Sequence, residues 1–196
     1  DAYNIGGIAG RCTETNSKVE TCVNKGTLES KRESTHTAYG VGGIVGLLHT
    51  GTVSSCTNNG TVTGYIGNPV GGVVGKMWDG TVSSCRNTAA VQGQEYSEYG
   101  IGGIVGDISM SGSSKFVEIT DCHNSGSVLL SAGKQRQIGG IVGKTSGASI
   151  EISRCSNTGK ISSTQSGNSL KLGGLVGSTG DALTLTQSYN VGSVDI

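Results

Sequence analysis

The side chains able to do acid–base or metal chemistry are few and far apart. Histidine occurs at His36, His49 and His123, and no His-Glu-x-x-His pairs two imidazoles as a zinc hydrolase requires. The carboxylates Glu14, Glu20, Glu29, Glu33, Asp79, Glu95, Glu98 and Glu118 are scattered. A polysaccharide-cleaving β-helix would gather its acids on one face. The six cysteines include no Cys-x-x-Cys and no Cys/His cluster. Gly139-Gly140-Ile141-Val142-Gly143-Lys144-Thr145 ends like a phosphate-binding loop, but the position of the leading glycine holds Ile138. Gly102-Gly103-Ile104-Val105-Gly106-Asp107 lacks the residue order of the calcium-binding nonapeptide. No helix follows Gly40-x-Gly42 or Gly100-x-Gly102 to make a dinucleotide site. These residues predict no catalytic group, no cofactor and no metal.

The aromatic outliers are better candidates. Tyr65, Trp78, Tyr96 and Tyr99 fall in or beside segments of variable length in the middle of the chain. Large flat side chains there can stack on a sugar or anchor a protein partner, or they can cap an edge of the fold. They are the predicted binding residues.

The framework that must position them is a repeat. Gly-Gly-aliphatic-(Val/Ala)-Gly begins at Gly6, Gly42, Gly71, Gly102, Gly139 and Gly173. Each copy is followed by Cys-x-Asn-x-Gly-x-Val or a close variant, as in Cys56-Thr57-Asn58-Asn59-Gly60-Thr61-Val62. A period of this size marks an array of one unit. Residues 1–196 are read as a single repeat domain whose six repeats begin near 3, 39, 68, 99, 136 and 170.

No helical period occurs within a repeat; β-branched residues alternate with Thr and Ser, which reads as strand. Cys56, Asn58, Gly60 and Val62 share one face, whereas upstream of the cysteine the apolar residues sit at odd offsets, as Ile119 and Val117 do before Cys122. The strand must therefore bend or bulge just before the cysteine. Each repeat is predicted to fold as three strands with corners, one coil of an all-β, right-handed parallel β-solenoid of about six coils. In such a stack Asn24, Asn58, Asn87, Asn124, Asn157 and Asn190 form an inward amide ladder. The glycine two residues beyond each Asn is expected to take positive φ, although Ala89 replaces it in the third copy. Cys22, Cys56, Cys85, Cys122 and Cys155 occupy one position, with Ser188 in the sixth copy, so a row of reduced thiols is predicted. A Cys12–Cys22 bridge is the expected exception. The Gly-Gly segment carries aliphatics on both faces, and the sequence does not say what covers the second.

A formal charge of zero with 14% charged residues gives no basic patch for nucleic acid or an anionic membrane. No apolar run is long enough to insert into a bilayer. Glycine numbers 35 and aromatics only 4%, so Val, Ile, Leu, Ala and Cys must fill the interior. The polar insertions at 29–39, 107–115, 131–137 and 162–169 are expected on one side, as a binding face or as solvated loops.

The segments at Gly42, Gly102 and especially Gly173-Gly174-Leu175-Val176-Gly177 resemble the GLUG motif, named for Gly-Leu-any-Gly. That motif occurs in repeats of bacterial cell-surface and secreted proteins, among them Gram-positive metallopeptidases that cleave immunoglobulin A and adhesins of gut bacteria. The peptidases' zinc helix has no counterpart here, so their reaction is not carried over. The resemblance implies export, an extracellular or bacterial cell-surface location, and a part in a longer polypeptide. The expected function is a non-catalytic binding or spacer module, with an adhesin for a host protein or glycan as one form of it. The alternatives are the ancillary substrate-positioning region of a secreted immunoglobulin A-type metallopeptidase and, third, a glycan-degrading β-helix enzyme. Because the pattern runs from Ile5 to Val194 without polar capping repeats, self-association through uncapped ends is also expected.

Overall fold

The computed structural model describes residues 3–30, 40–65, 67–94, 99–109, 116–132, 137–147, 149–165, 169–180 and 182–196. Every described element is a β-strand, and all strand pairs are parallel between successive repeats. Five sheets run along the stack, each taking one strand from each of the six repeats. In the second repeat the strands are Gly40–Gly42, Val45–Leu48, Thr52–Ser54, Thr57–Asn58 and Val62–Gly64, and these define the first to fifth sheets in order. The architecture is the parallel β-solenoid expected from the repeat.

Each coil has five strands where the alternation pattern predicts three. The extra breaks fall at the second glycine of Gly-Gly and just after the asparagine. The first break answers the question of the two aliphatic faces. Strands Gly40–Gly42 and Val45–Leu48 fold back on each other, and a Cβ on Gly40 would overlap the Gly46 carbonyl, one on Gly42 the Val45 carbonyl. A Cβ on Gly46 would meet the Ile5 amide nitrogen of the preceding coil at 2.7 Å. The first and second sheets thus pack backbone to backbone as a partition inside the solenoid, which only glycine permits.

The partition separates two cores. On one side Val41 packs with Val62 and their equivalents Val70, Val91, Ile101 and Val128. On the other, Ile44, Val45, Leu48, Val53 and Cys56 repeat along the stack. Burying one such Val, Leu or Ile contributes about 1.5–3 kcal/mol, so many small side chains replace a few aromatics.

The bend before the cysteine is also present. Thr21, Ser55, Ser84, Asp121, Arg154 and Gln187, each one residue before the cysteine position, all have φ between 48 and 56°. This left-handed residue switches the inward face between the third and fourth strands. The glycine beyond the asparagine does not take positive φ. Close stacking explains it instead: a Cβ on Gly60 would overlap the carbonyl of Gly26 in the coil beneath, and one on Gly126 the carbonyl of Ala89.

Asparagine binds the two halves of each coil. Asn58 Nδ2 donates to Asn87 Oδ1 at 2.8 Å and to the carbonyl of Gly60 at 2.8 Å. The same pair of bonds recurs from Asn24 to Asn157, and Asn190 ends the row. Each carboxamide lies in the space left by the second glycine of its own repeat, Asn58 over Gly43 and Asn124 over Gly103. That contact is why the two motifs recur in fixed register.

All six cysteines are free thiols, so the expected Cys12–Cys22 bridge is not formed. Cys12 ends a second-sheet strand in register with Leu48, whereas Cys22 belongs to the row continued by Cys56. The two sit on different walls of the coil, and Cys12 fills a core position occupied by Leu48, Met77 and Ile108 elsewhere.

Candidate functional site

Folding the first sheet back on the second brings two connections together. One joins the fifth-sheet strand to the next coil, as between Gly64 and Val70 or Gly93 and Gly100; the other joins the second sheet to the third, as between Met77 and Gly80. Their lengths vary from repeat to repeat, whereas the Gly-Gly bend and the asparagine corner stay constant. The start of the first sheet lies against the end of the second, since a Cβ on Gly40 would meet the Lys76 nitrogen at 2.8 Å. The strand ends that flank both connections therefore border one side of the rod.

Trp78 and Tyr99 meet there. Trp78 follows the second-sheet strand Val74–Met77, and its amide donates to the Leu48 carbonyl at 2.9 Å. Tyr99 precedes the first-sheet strand Gly100–Gly102. The Lys76 ammonium lies 5.9 Å from the Trp78 ring centre and 5.1 Å from that of Tyr99, within cation–π range of both. His49, one coil below, packs edge-on against Trp78 with centroids 4.8 Å apart. Both Trp78 and Tyr99 remain partly exposed.

Beneath the rings runs a column of second-sheet residues, Arg11, Leu47, Lys76, Asp107, Lys144 and Ser178, in direct register. Asp107 is fully buried between Lys76 and Lys144. Burial pushes its carboxyl above the ordinary value, and the two lysines, the Ser109 hydroxyl and the Gly100 amide pull in the opposite direction. Neither carboxylate oxygen closes a hydrogen bond of good geometry. Burial lowers the Lys76 pKa, opposed by Asp107 and reinforced by Lys144. The floor of the aromatic cluster thus holds the buried Lys76 and Asp107, with the partly buried Lys144 beyond them.

Of the four aromatics expected from sequence, Trp78 and Tyr99 are brought together. Tyr65 is tied elsewhere, its hydroxyl donating to Glu29 at 3.0 Å and its amide to the Ser30 hydroxyl at 2.8 Å. Tyr96 lies outside the described residues, as do His36, Glu33, Glu95 and Glu98 and parts of each polar insertion. Sequence reading gave no role to Lys76 or His49, whose signal is register: they stand one coil apart from Asp107 and Trp78.

The motifs set aside in the sequence are strand. Gly143, Lys144 and Thr145 lie within Val142–Ser146, and Thr145 Oγ1 donates to Thr179 Oγ1 at 3.0 Å. Glu118 and Glu151 are neighbours in the third sheet, an adjacency not visible in the separate repeats. Among the described residues no group of three or more His, Cys, Asp or Glu is placed to hold a metal. Four thiols of the cysteine row, Cys56, Cys85, Cys122 and Cys155, are fully or almost fully buried. Burial raises the Cys56 pKa to about 11, which makes it a poor nucleophile.

Comparison with known proteins agrees with this architecture. Residues 37–63 match the family described as the GLUG motif, and the same letters recur in the other coils. The fold matches the crystal structure of a candidate immunoglobulin A1 protease from Bacteroides ovatus with a TM-score of 0.65 and 21% identity. The match covers 94% of this chain and 57% of that one, so this chain spans little more than half of its structural relative. No curated protein gives a significant match.

Proposed function

We propose that this chain is a non-catalytic binding module of a bacterial cell-surface or secreted protein, an adhesin that engages a host glycan or glycoprotein through Trp78 and Tyr99. The carrying observation is the meeting of both variable connections at these two partly exposed rings, with the Lys76 ammonium between them. Such rings present apolar faces to a sugar, and the buried Lys76 lies against both. Scattered carboxylates support a non-catalytic reading. The resemblance to GLUG-bearing proteins supports export and an extracellular or cell-surface location.

The test is binding to an array of host glycans and to immobilised mucin, comparing the native chain with Trp78→Ala and Tyr99→Ala. Each substitution is expected to weaken binding about tenfold or more, with the circular dichroism spectrum unchanged. Equal binding by all three proteins would overturn the assignment.

The fold shared with the Bacteroides protein favours a second reading, in which the module positions a substrate such as immunoglobulin A1 for a peptidase domain. Retention of immunoglobulin A1 on the immobilised chain, with no retention of glycans, would select that reading.

A further inference from the structure

We propose that the cysteine row is a binding site for copper(I), each ion held in a line between the sulfurs of two successive coils. The row consists of Cys22, Cys56, Cys85, Cys122 and Cys155, and three observations carry the inference. The first is that every sulfur occupies the same place in its coil. Each thiol faces the carbonyl two residues before it, Cys22 at 3.3 Å from Glu20, Cys56 at 3.2 Å from Ser54 and Cys122 at 3.3 Å from Thr120. Cys85 and Cys155 repeat the contact at 3.2 Å and 3.3 Å. From Cys56 onward each thiol also faces a carbonyl of the preceding coil, those of Val19, Val53, Val82 and Ile119 in turn. The backbone beside the row is in parallel register, with the Arg86 amide donating to the Cys56 carbonyl and that of His123 to Cys85. Neighbouring sulfurs are therefore separated by the strand spacing, about 4.8 Å.

The second observation is what that spacing fits. A disulfide needs Cβ atoms about 3.5–4.5 Å apart, closer than stacked strands bring them, and all the thiols are free. A metal–thiolate bond is about 2.3 Å long, so one ion midway between sulfurs about 4.6 Å apart makes two such bonds. The coils need hardly move to admit it. Zinc takes four ligands in a structural site, and among the described residues no group of three or more His, Cys, Asp or Glu is placed to hold a metal. Copper(I) is selected by soft thiolates and accepts two of them in a line.

The third observation is burial. Cys56, Cys85, Cys122 and Cys155 are at most 1% exposed, in the same core as Val53, Val82, Ile119 and Ile152. A bare thiolate or an uncompensated ion is costly there. A univalent ion avoids both costs. Each copper(I) displaces one thiol proton to solvent and takes its place on sulfur, while the next sulfur donates a lone pair. Copper stays at +1, no oxidant or reductant takes part, and the core stays neutral however many ions enter.

Silver(I), which binds thiolates in the same way and does not change oxidation state in air, is the probe. It is added to the reduced chain during refolding, and retained ions are counted by native mass spectrometry. Five sulfurs enclose four gaps, so the native chain is expected to retain four ions. Cys12→Ser, on another wall, is expected to retain four as well, Cys155→Ser three, and Cys122→Ser two, because Cys122 borders two gaps. Ser188 continues the column, its hydroxyl 2.8 Å from the Thr186 carbonyl, and Ser188→Cys is expected to retain five. One ion per thiol, with every cysteine variant losing one, would overturn the proposal, as would a native chain that retains none. Circular dichroism checks that each variant folds, and Cys85→Ser, which also removes two gaps, replaces Cys122→Ser if that variant unfolds. X-ray absorption of the copper(I)-loaded chain is expected to show two sulfur neighbours per ion; three or more would overturn the linear site.

Discussion

At six equivalent corners a non-glycine residue takes a left-handed backbone, and this residue lets an extended chain bury odd positions before the cysteine and even positions after it. The strain is of order 1 kcal/mol per corner, offset by the burial it permits. Ser55, with φ of 54° and an exposed side chain, is a clean place to relieve it. Ser55→Gly is expected to raise stability by about 0.5–1 kcal/mol in urea unfolding. Asp107 has the opposite character, being a buried carboxyl whose pKa lies above its ordinary value through burial. A raised acid binds its proton more tightly in the folded than in the unfolded chain. Its contribution is therefore fully present below the ordinary carboxylate pKa and is lost as pH rises through the raised folded value. From about pH 4 upward the native chain is expected to lose stability relative to Asp107→Asn, in which the other carboxylates are unchanged. A native chain that gains stability relative to Asp107→Asn over that range would show that Lys76 and Lys144 outweigh desolvation.

At the scale of the element, the asparagine row and the glycine partition form one device. The second glycine leaves the space, and the carboxamide fills it while bonding both its own coil and the next. Asn87→Ala removes donation to Asn124 and leaves the Asn58 donor without its ladder acceptor in a buried site. The expected cost is about 2–4 kcal/mol. Asn190→Ala, at an exposed end of the row, is expected to cost under about 1 kcal/mol. Equal costs in urea unfolding would contradict a cooperative interior ladder. Much of this was legible in the letters: the period, the strand alternation, the bend before the cysteine and the inward Asn row all follow from spacing. Five strands instead of three, and the partition, were not. Alternation describes a strand that keeps one neighbour on each face, and it is silent about two strands folded onto each other through Gly40, Gly42 and Gly46. The same limit misplaced positive φ at Gly60, because close stacking and backbone freedom both select glycine, and only packing against Gly26 tells them apart.

For the whole molecule, constancy and variation fall on different places. The repeated residues build the rod and its two cores. The unequal connections meet at the outer margin of the partition, where Lys76 joins Trp78 and Tyr99 and Asp107 lies beneath. Sequence could nominate the aromatics as outliers, but their convergence depends on the fold-back at Gly-Gly, which joins residues from different coils. This division between framework and binding margin is the central claim. It is tested most directly by titrating one host glycoprotein against Trp78→Ala and Asn190→Ala side by side. Loss of about tenfold in affinity for Trp78→Ala, with native affinity for Asn190→Ala, is the expected result. Native affinity for Trp78→Ala, or an equal loss in both, would contradict it.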